Sequence, residues 1–351
     1  MAFKRRRLRA AGLGAIVVFC AAVAHGASWR DYRRKPDDWF RSKAGLAVTR
    51  NILSWQSVRG DWPKNTDTMT QAFSGKTSRI RGTFDNGATT DELRFLARAF
   101  AATKAARCKQ AFVKGLDHIL TAQYPTGGWP QSSPPGRGYP RHITFNDNAM
   151  VRLMELLRDV AESDIYKFVD PVRRKKAKLS FNRGVLCILK CQVRVKGKLT
   201  AWCAQHDERD YKPRPARTYE LISISGCESV GVVRLLMSIE NPNEHVVRAV
   251  QGAMEWFESV KITGVRQVTV NGDKKIVRDP KAPPLWARFY EIGTNRPIFC
   301  GRDGVKKRTL AEIEHERRNG YAWYGTWPTG LASTYSAWKQ KYISAKKTSD
   351  K

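Results

Sequence analysis

Three short stretches combine residue types that could do chemistry on an anion. The first runs from Thr200 to Gly226, TAWCAQHDERDYKPRPARTYELISISG. Pro213 and Pro215 stiffen its approach to Arg217, because proline presets φ and drives the preceding residue extended. A run of helical pattern, Glu228 to Met237, follows, so Arg217 is expected on a rigid loop at the mouth of a helix. The second and third stretches are Thr83-Phe84-Asp85-Asn86-Gly87-Ala88 and Thr144-Phe145-Asn146-Asp147-Asn148-Ala149. Each precedes a helical pattern. Helix capping is the ordinary role of one such Asp-Asn pair. Two copies ahead of two helices call for a further reason.

That reason lies in the elements that must position them. Gln56 stands six residues before Trp62-Pro63, and Gln123 six before Trp129-Pro130. Gln192 and Trp202 look like a third copy with longer spacing, and Trp327-Pro328 like a final echo. The tryptophans lie 67 and 73 residues apart, the length of a helix pair with its loops, and such a period indicates stacked helical hairpins. The Asp-Asn motifs recur in phase with them. A helix is expected over Asp37–Gln56. Thr89 and Glu92 fit a capping box opening Thr90–Lys104, whose Leu93, Leu96, Ala97 and Phe100 have helical spacing. Met150, Leu153, Met154 and Leu157 do the same after the second copy. Arg217 takes the corresponding place in the third repeat. Repeats set in a ring would bring Asp85, Asp147 and Arg217 to one face. Asn243–Val260 reads as a further helix. Val265–Val277 contains Asn271-Gly272 between β-prone arms, a hairpin signal. Glu312–Arg317 is expected as a charged helix. The fold class is all-α dominated: an incomplete (α/α) toroid of about three helical hairpins with a small β-hairpin excursion.

The 351 residues include 42% hydrophobic ones, ample for a large core. Residues 1–27 carry a basic start, an apolar stretch and small residues, the pattern of a secretory signal. The alternative is an uncleaved anchor. The expected organisation is a signal peptide over 1–27, a catalytic toroid over 28–345 and a mobile tail over 346–351. Of the net charge of +31, five positive charges lie in the signal, leaving +26. Such a field attracts polyanions. An exported protein is expected to meet an acidic polysaccharide rather than nucleic acid. After signal cleavage it is expected to be a secreted or periplasmic monomer without stable membrane association. Six cysteines remain after Cys20, which allow fifteen full pairings. Cys187 and Cys191 lie four apart and could share one helix face.

The stretches GDWPKN, TFDNGAT, GGWPQ, FNDNAM, WCAQHD, PARTYE, SGCESVGV, WARFYEIGTNRPIFCGRDG and RNGYAWYGTWP run from Asp61 to Pro328. Together they resemble the pectate lyases of polysaccharide lyase family 10. One departure is the segment after Tyr219-Glu220, where family members tend to carry a proline. The resemblance implies an incomplete toroid of paired helices and calcium-assisted β-elimination on polygalacturonate. It also implies that Asp85 and Asp147 are calcium carboxylates, with Asn86 at the same site on the substrate side. It makes Arg217 the catalytic base, and it makes Arg288 and Arg302 the arginines that hold substrate carboxylates. Two other readings of the residues stay open: a glycoside hydrolase on a helical toroid, and a non-catalytic pectin-binding protein.

Overall fold

The structure is a computed structural model that describes residues 28–344. The expected signal peptide and the 346–351 tail lie outside the described residues.

Three helices open the described residues: α1 (Trp29–Tyr32), α2 (Asp37–Arg41) and α3 (Lys43–Ser54). The single helix expected over Asp37–Gln56 is broken at Ser42, whose backbone is extended. The Ser42 hydroxyl accepts from the Gly45 N–H and so opens α3. Gly45 permits the tight corner, since a β-carbon there would lie 2.2 Å from the Trp39 carbonyl oxygen.

Three helical hairpins follow. They are α4 (Thr90–Thr103) with α5 (Ala106–Ala122), α6 (Ala149–Glu162) with α7 (Pro171–Cys191), and α8 (Glu228–Met237) with α9 (Glu244–Ser259). The first helices, α4, α6 and α8, pack side by side, and α3, α5, α7 and α9 form the layer behind them. Leu93, Leu96, Leu153, Met154, Leu157 and Leu236 are fully buried between the layers, as their helical spacing requires. The chain forms the expected (α/α) toroid of hairpin repeats. Among the described residues, no helix is long and apolar enough to cross a membrane.

The glutamine–tryptophan repeat has a physical basis. Gln56, Gln123 and Gln192 each donate through Nε2 to two carbonyls. One is in the turn that follows (Gly60, Gly127, Thr200), and the other is in the neighbouring rear-layer helix (Ala111, Ser180, Ala249). Each glutamine thus ties α3 to α5, α5 to α7, and α7 to α9. The buried indoles of Trp62, Trp129 and Trp202 donate back to Ile52, Ile119 and Ile188 at the end of the preceding helix. The fourth copy is Trp286, which donates to the Phe257 carbonyl. Trp327, expected as the final echo, is only half-buried and lies in a 3₁₀ turn.

Trp286 escaped the repeat pattern because a hairpin is inserted before it. Val265–Val270 pairs with Asp273–Arg278 through Asn271 (φ 49°) and Gly272 (φ 77°), the left-handed pair that a two-residue hairpin needs. The hairpin rests on α10 (His315–Asn319) through an Arg318–Asp273 ion pair. The charged helix expected over Glu312–Arg317 is instead a 3₁₀ turn, Leu310–Glu312, followed by α10. A second buried cluster here, including Tyr219, Phe289, Phe299 and Trp323, forms a wall beside the toroid. The last helix, α11 (Leu331–Lys339), packs on α8.

Candidate active site

The site forms where the chain enters α4, α6 and α8, and a ladder of backbone hydrogen bonds sets its phase. Thr83, Thr144 and Ser225 donate to the carbonyls of Trp62, Trp129 and Trp202 in their own repeats. The next residues, Phe84, Phe145 and Gly226, donate across to Gln131, Ala204 and Arg288 in the following repeats. The three entry loops therefore lie side by side.

This ladder corrects two sequence expectations. Asp85 is in register with Asn146, and Asn86 with Asp147, so the two aspartates come from positions one residue apart. Asn86 (φ 54°) and Asp147 (φ 51°) share the left-handed backbone, which Asn and Asp tolerate better than most residues. In the third repeat the residue in register with Asp147 is Glu228, not Arg217. Arg217 stands on a turn outside the ladder, where the Ala216 N–H donates to Glu220 and the Glu220 N–H donates to Arg217. The capping box expected at Thr89 and Glu92 is also absent. Thr89 has φ 69°, its hydroxyl accepts from the Trp62 N–H and donates to the Thr83 carbonyl, and Glu92 is buried against Thr68.

The carboxylates converge. Asp85 is buried and accepts from the Lys64 ammonium and the Gln131 amide. Asp147 is 40% exposed and accepts from the Asn146 amide at 2.7 Å. Burial, then the Glu228 and Asp85 carboxylates, raise the Asp147 carboxyl above the usual range. Glu228 is buried and held by the Arg288 guanidinium and the Ser225 hydroxyl. Asn86 donates to the Asn65 side chain at 3.1 Å.

The arginines meet these acids through two tyrosine rings. Arg288 contacts Glu228 and lies 3.8 Å from Asp147, and its buried Nε has no hydrogen-bond partner. Its guanidinium carbon is 4.7 Å from the centre of the Tyr321 ring, while that of Arg217 is 5.6 Å from the same centre. Arg217 also lies 5.1 Å from the Tyr219 ring centre, which Arg302 approaches at 5.7 Å. Arg217 makes a two-point ion pair with Glu220 and is 41% exposed. Burial lowers its pKa, but the Glu220 hydrogen bond and charge more than offset this, so it is raised overall. The Tyr321 hydroxyl donates to Glu220 at 2.6 Å. Arg302 is exposed and paired with Glu316. Asn86 and Asp85 share one entry loop, which packs on the loop of Asp147, and Asp147, Arg288, Arg217 and Arg302 follow one another through an ion pair and shared tyrosine rings. Lys64, Gln131, Glu228, Glu220 and Tyr321 belong to the site too; they lie in the stretches that carry the resemblance but had no site role assigned from sequence. Glu228 was findable, because it stands two residues after the third repeat's Gly226, as Asp147 stands two after Phe145.

Among the described residues, His142, Asp207 and Glu208 also bring potential metal-ligating atoms within 4.8 Å of one another. Neither Asp85 nor Asp147 belongs to that group. Asp207 is bound by Arg214, and Glu208 by Arg141 and His142. The six described cysteines are free thiols, and the Sγ atoms of Cys187 and Cys191 are 4.0 Å apart on one face of α7.

The pectic acid lyase family profile matches residues 56–332. Among solved structures, a family 10 polysaccharide lyase from Cellvibrio cellulosa is 34% identical. That match has a TM-score of 0.76 and covers 87% of this chain and 94% of that one. A mutant of a family 10 polysaccharide lyase from the same organism, in complex with trigalacturonic acid, is 32% identical with a TM-score of 0.76. It covers 91% of this chain and 99% of that one. Among curated proteins there is no match. The side-by-side entry loops, the converging carboxylates and the arginine cluster thus belong to a polysaccharide lyase, and the chain is a member of the pectic acid lyase family.

Proposed function

We propose that this pectate lyase is calcium-dependent and cleaves α-1,4-linked polygalacturonate by β-elimination, with Arg217 as the base at C5. The observation that carries this reading is the meeting of Asp85, Asp147 and Glu228 with the Arg288 and Arg217 guanidinium groups. The related structure in complex with trigalacturonic acid supports a uronate substrate.

The residues fit a hard divalent cation. The donors are carboxylate and amide oxygens, the type calcium takes. Asp147 is burdened by two neighbouring acids, and at Asp85 the Lys64 ammonium stands where a bound cation would have to displace it. Asp85 and Asp147 would hold calcium beside Asn86. When bound, it would supply Lewis-acid stabilisation of the charge that builds on the C6 carboxylate.

The chain's own groups do the rest. Arg288, with an unpartnered Nε, and Arg302, once its surface pairing with Glu316 is exchanged, would hold substrate carboxylates through their planar forks. Arg217 takes the C5 proton, and the C5–H electron pair becomes the C4–C5 double bond. The C4–O bond breaks, and the leaving oxygen takes a proton from solvent. Arginine acts as a base only when neutral. Glu220 holds Arg217 protonated, and burial of the guanidinium opposes that charge. Alkaline medium shifts the balance further toward the neutral base. A hydrolase mechanism is less well served, since it needs two carboxyl groups free to flank the bond. Here Asp85 is engaged by Lys64 and Gln131, and Glu228 by Arg288 and Ser225.

The catalytic toroid is assigned to residues 28–345 of a protein exported with its 1–27 leader removed, and it acts as a monomer. Digestion of polygalacturonate with and without chelator tests the activity. The expected result is an ultraviolet-absorbing unsaturated uronide that chelator abolishes. Reducing ends without that chromophore would overturn the reading.

A further inference from the structure

The short strands Ile143–Thr144, Gln205–His206 and Pro213–Arg214 form one sheet. One strand leads to Asp147 and another to Arg217. Beside the same strands, against the loops at the other end of Ile143–Thr144, lies a cavity of about 770 Å³ that the mechanism above does not use.

Its lining pairs apolar faces with cations. Tyr124, Pro125 and Pro135 supply flat apolar surface, and Arg137, Arg141 and Arg209 supply charge. The Tyr124 hydroxyl is occupied by the Arg141 carbonyl at 2.6 Å, which fixes the ring. The acid in the lining, Glu208, is bound to Arg141 and His142, so Arg141 is also engaged. Arg137 and Arg209 differ. Both are exposed, and among the described residues neither guanidinium has a hydrogen-bond or ion-pair partner. The arginines of the candidate active site all have carboxylate partners: Arg217 with Glu220, Arg288 with Glu228 and Arg302 with Glu316.

A sugar acid fits this chemistry. Its C–H faces can pack on an aromatic ring and prolines, and its carboxylate can take a guanidinium fork. The cavity is also near the bond-breaking site. Arg141 precedes Asp147 by six residues, which even fully extended span at most about 20 Å. We propose that this cavity is a second uronate-binding site, which grips a distal part of the polygalacturonate chain whose cleavage occurs between Asp147 and Arg217. This rests on the polygalacturonate reading above.

The test compares the full-length protein with Arg137→Ala/Arg209→Ala and with Lys175→Ala/Lys176→Ala. The second pair removes the same charge from exposed positions on α7, and so controls for the general field of the protein. Steady-state KM and kcat are measured on polygalacturonate and on trigalacturonate, and mobility is measured in native gels containing polygalacturonate. Losing two charge-assisted contacts should raise KM for the polymer about tenfold. The values for kcat and for KM on the trimer should not change, and the lysine control should behave as native. A polymer KM equal to that of the control, or an equal loss on polymer and trimer, would overturn the second site. The gel separates this failure from failure of the lyase reading. If no unsaturated product forms at all, loss of gel retardation in the arginine pair alone still supports the cavity, and unchanged retardation rejects it.

Discussion

Glu92 should make the fold less stable as pH rises. It sits in the first turn of α4, fully buried, with one oxygen bonded to the Thr68 hydroxyl at 2.8 Å and the other without a partner. Burial pushes its carboxyl from 4.5 up to about 7, against the pull of the Thr68 hydrogen bond. Between those values the native state holds a proton that the unfolded chain has released. Stability therefore falls with rising pH, starting near 4.5 and levelling off above 7. A rise from 4.5 to about 7 corresponds to about 3 kcal/mol at alkaline pH. Glu92→Gln keeps the shape and an oxygen for Thr68 but cannot ionise. Urea unfolding of both proteins at pH 5, 7 and 9 reads the effect. The variant should match the native protein within about 1 kcal/mol at pH 5 and exceed it by about 3 kcal/mol at pH 9. A difference that does not change with pH would refute the argument. An enzyme whose base needs alkaline medium would then carry no stability penalty from this group where it works best.

His206 gives the opposite slope: its Nδ1–H donates to the Tyr211 carbonyl and its Nε2 accepts from the Cys203 N–H, and burial pushes it from 6.5 down to about 4. The unfolded chain binds the proton first, so stability falls by about 3 kcal/mol as pH drops from 6.5 to 4, and acid unfolding of His206→Gln beside native protein should show a smaller loss. Asp147→Ala should remove chelator-sensitive turnover while thermal unfolding shows the fold retained, and full activity of that variant in chelator would sink the calcium assignment. Unesterified polygalacturonate should be cut faster than highly methylated pectin, which lacks the carboxylates that calcium and arginine need, and its binding should weaken with salt. Equal rates on both substrates would contradict this.

The parts of the fold visible in the sequence are those whose signal is local. Gln56 and Gln123 stand at a fixed distance from Trp62 and Trp129 because each pair closes one helix end. The third copy was weaker, since the Arg194–Leu199 hairpin lengthens its turn. The fourth was hidden because the 265–278 hairpin separates Trp286 from its helix. Thr89 and Glu92 mimic a capping box, but long-range partners, the Trp62 N–H and the Thr68 hydroxyl, take both side chains. Asp85, Asp147 and Arg217 could be singled out, yet the backbone ladder between repeats was needed to show the register of the two aspartates and that Arg217 lies outside it. Tyr321 has no local mark of function. Its role comes from contacts with Glu220, Arg217 and Arg288, which lie 33 to 104 residues away in the chain.

The central claim is that Arg217 removes the C5 proton, rather than only gripping a carboxylate. Turnover and oligogalacturonate binding measured side by side for Arg217→Ala test it most directly. A lost general base lowers turnover by about 10²–10⁴-fold, while calcium, Arg288 and Arg302 should keep affinity close to native. Strongly impaired binding with near-native turnover at saturating substrate would contradict the account.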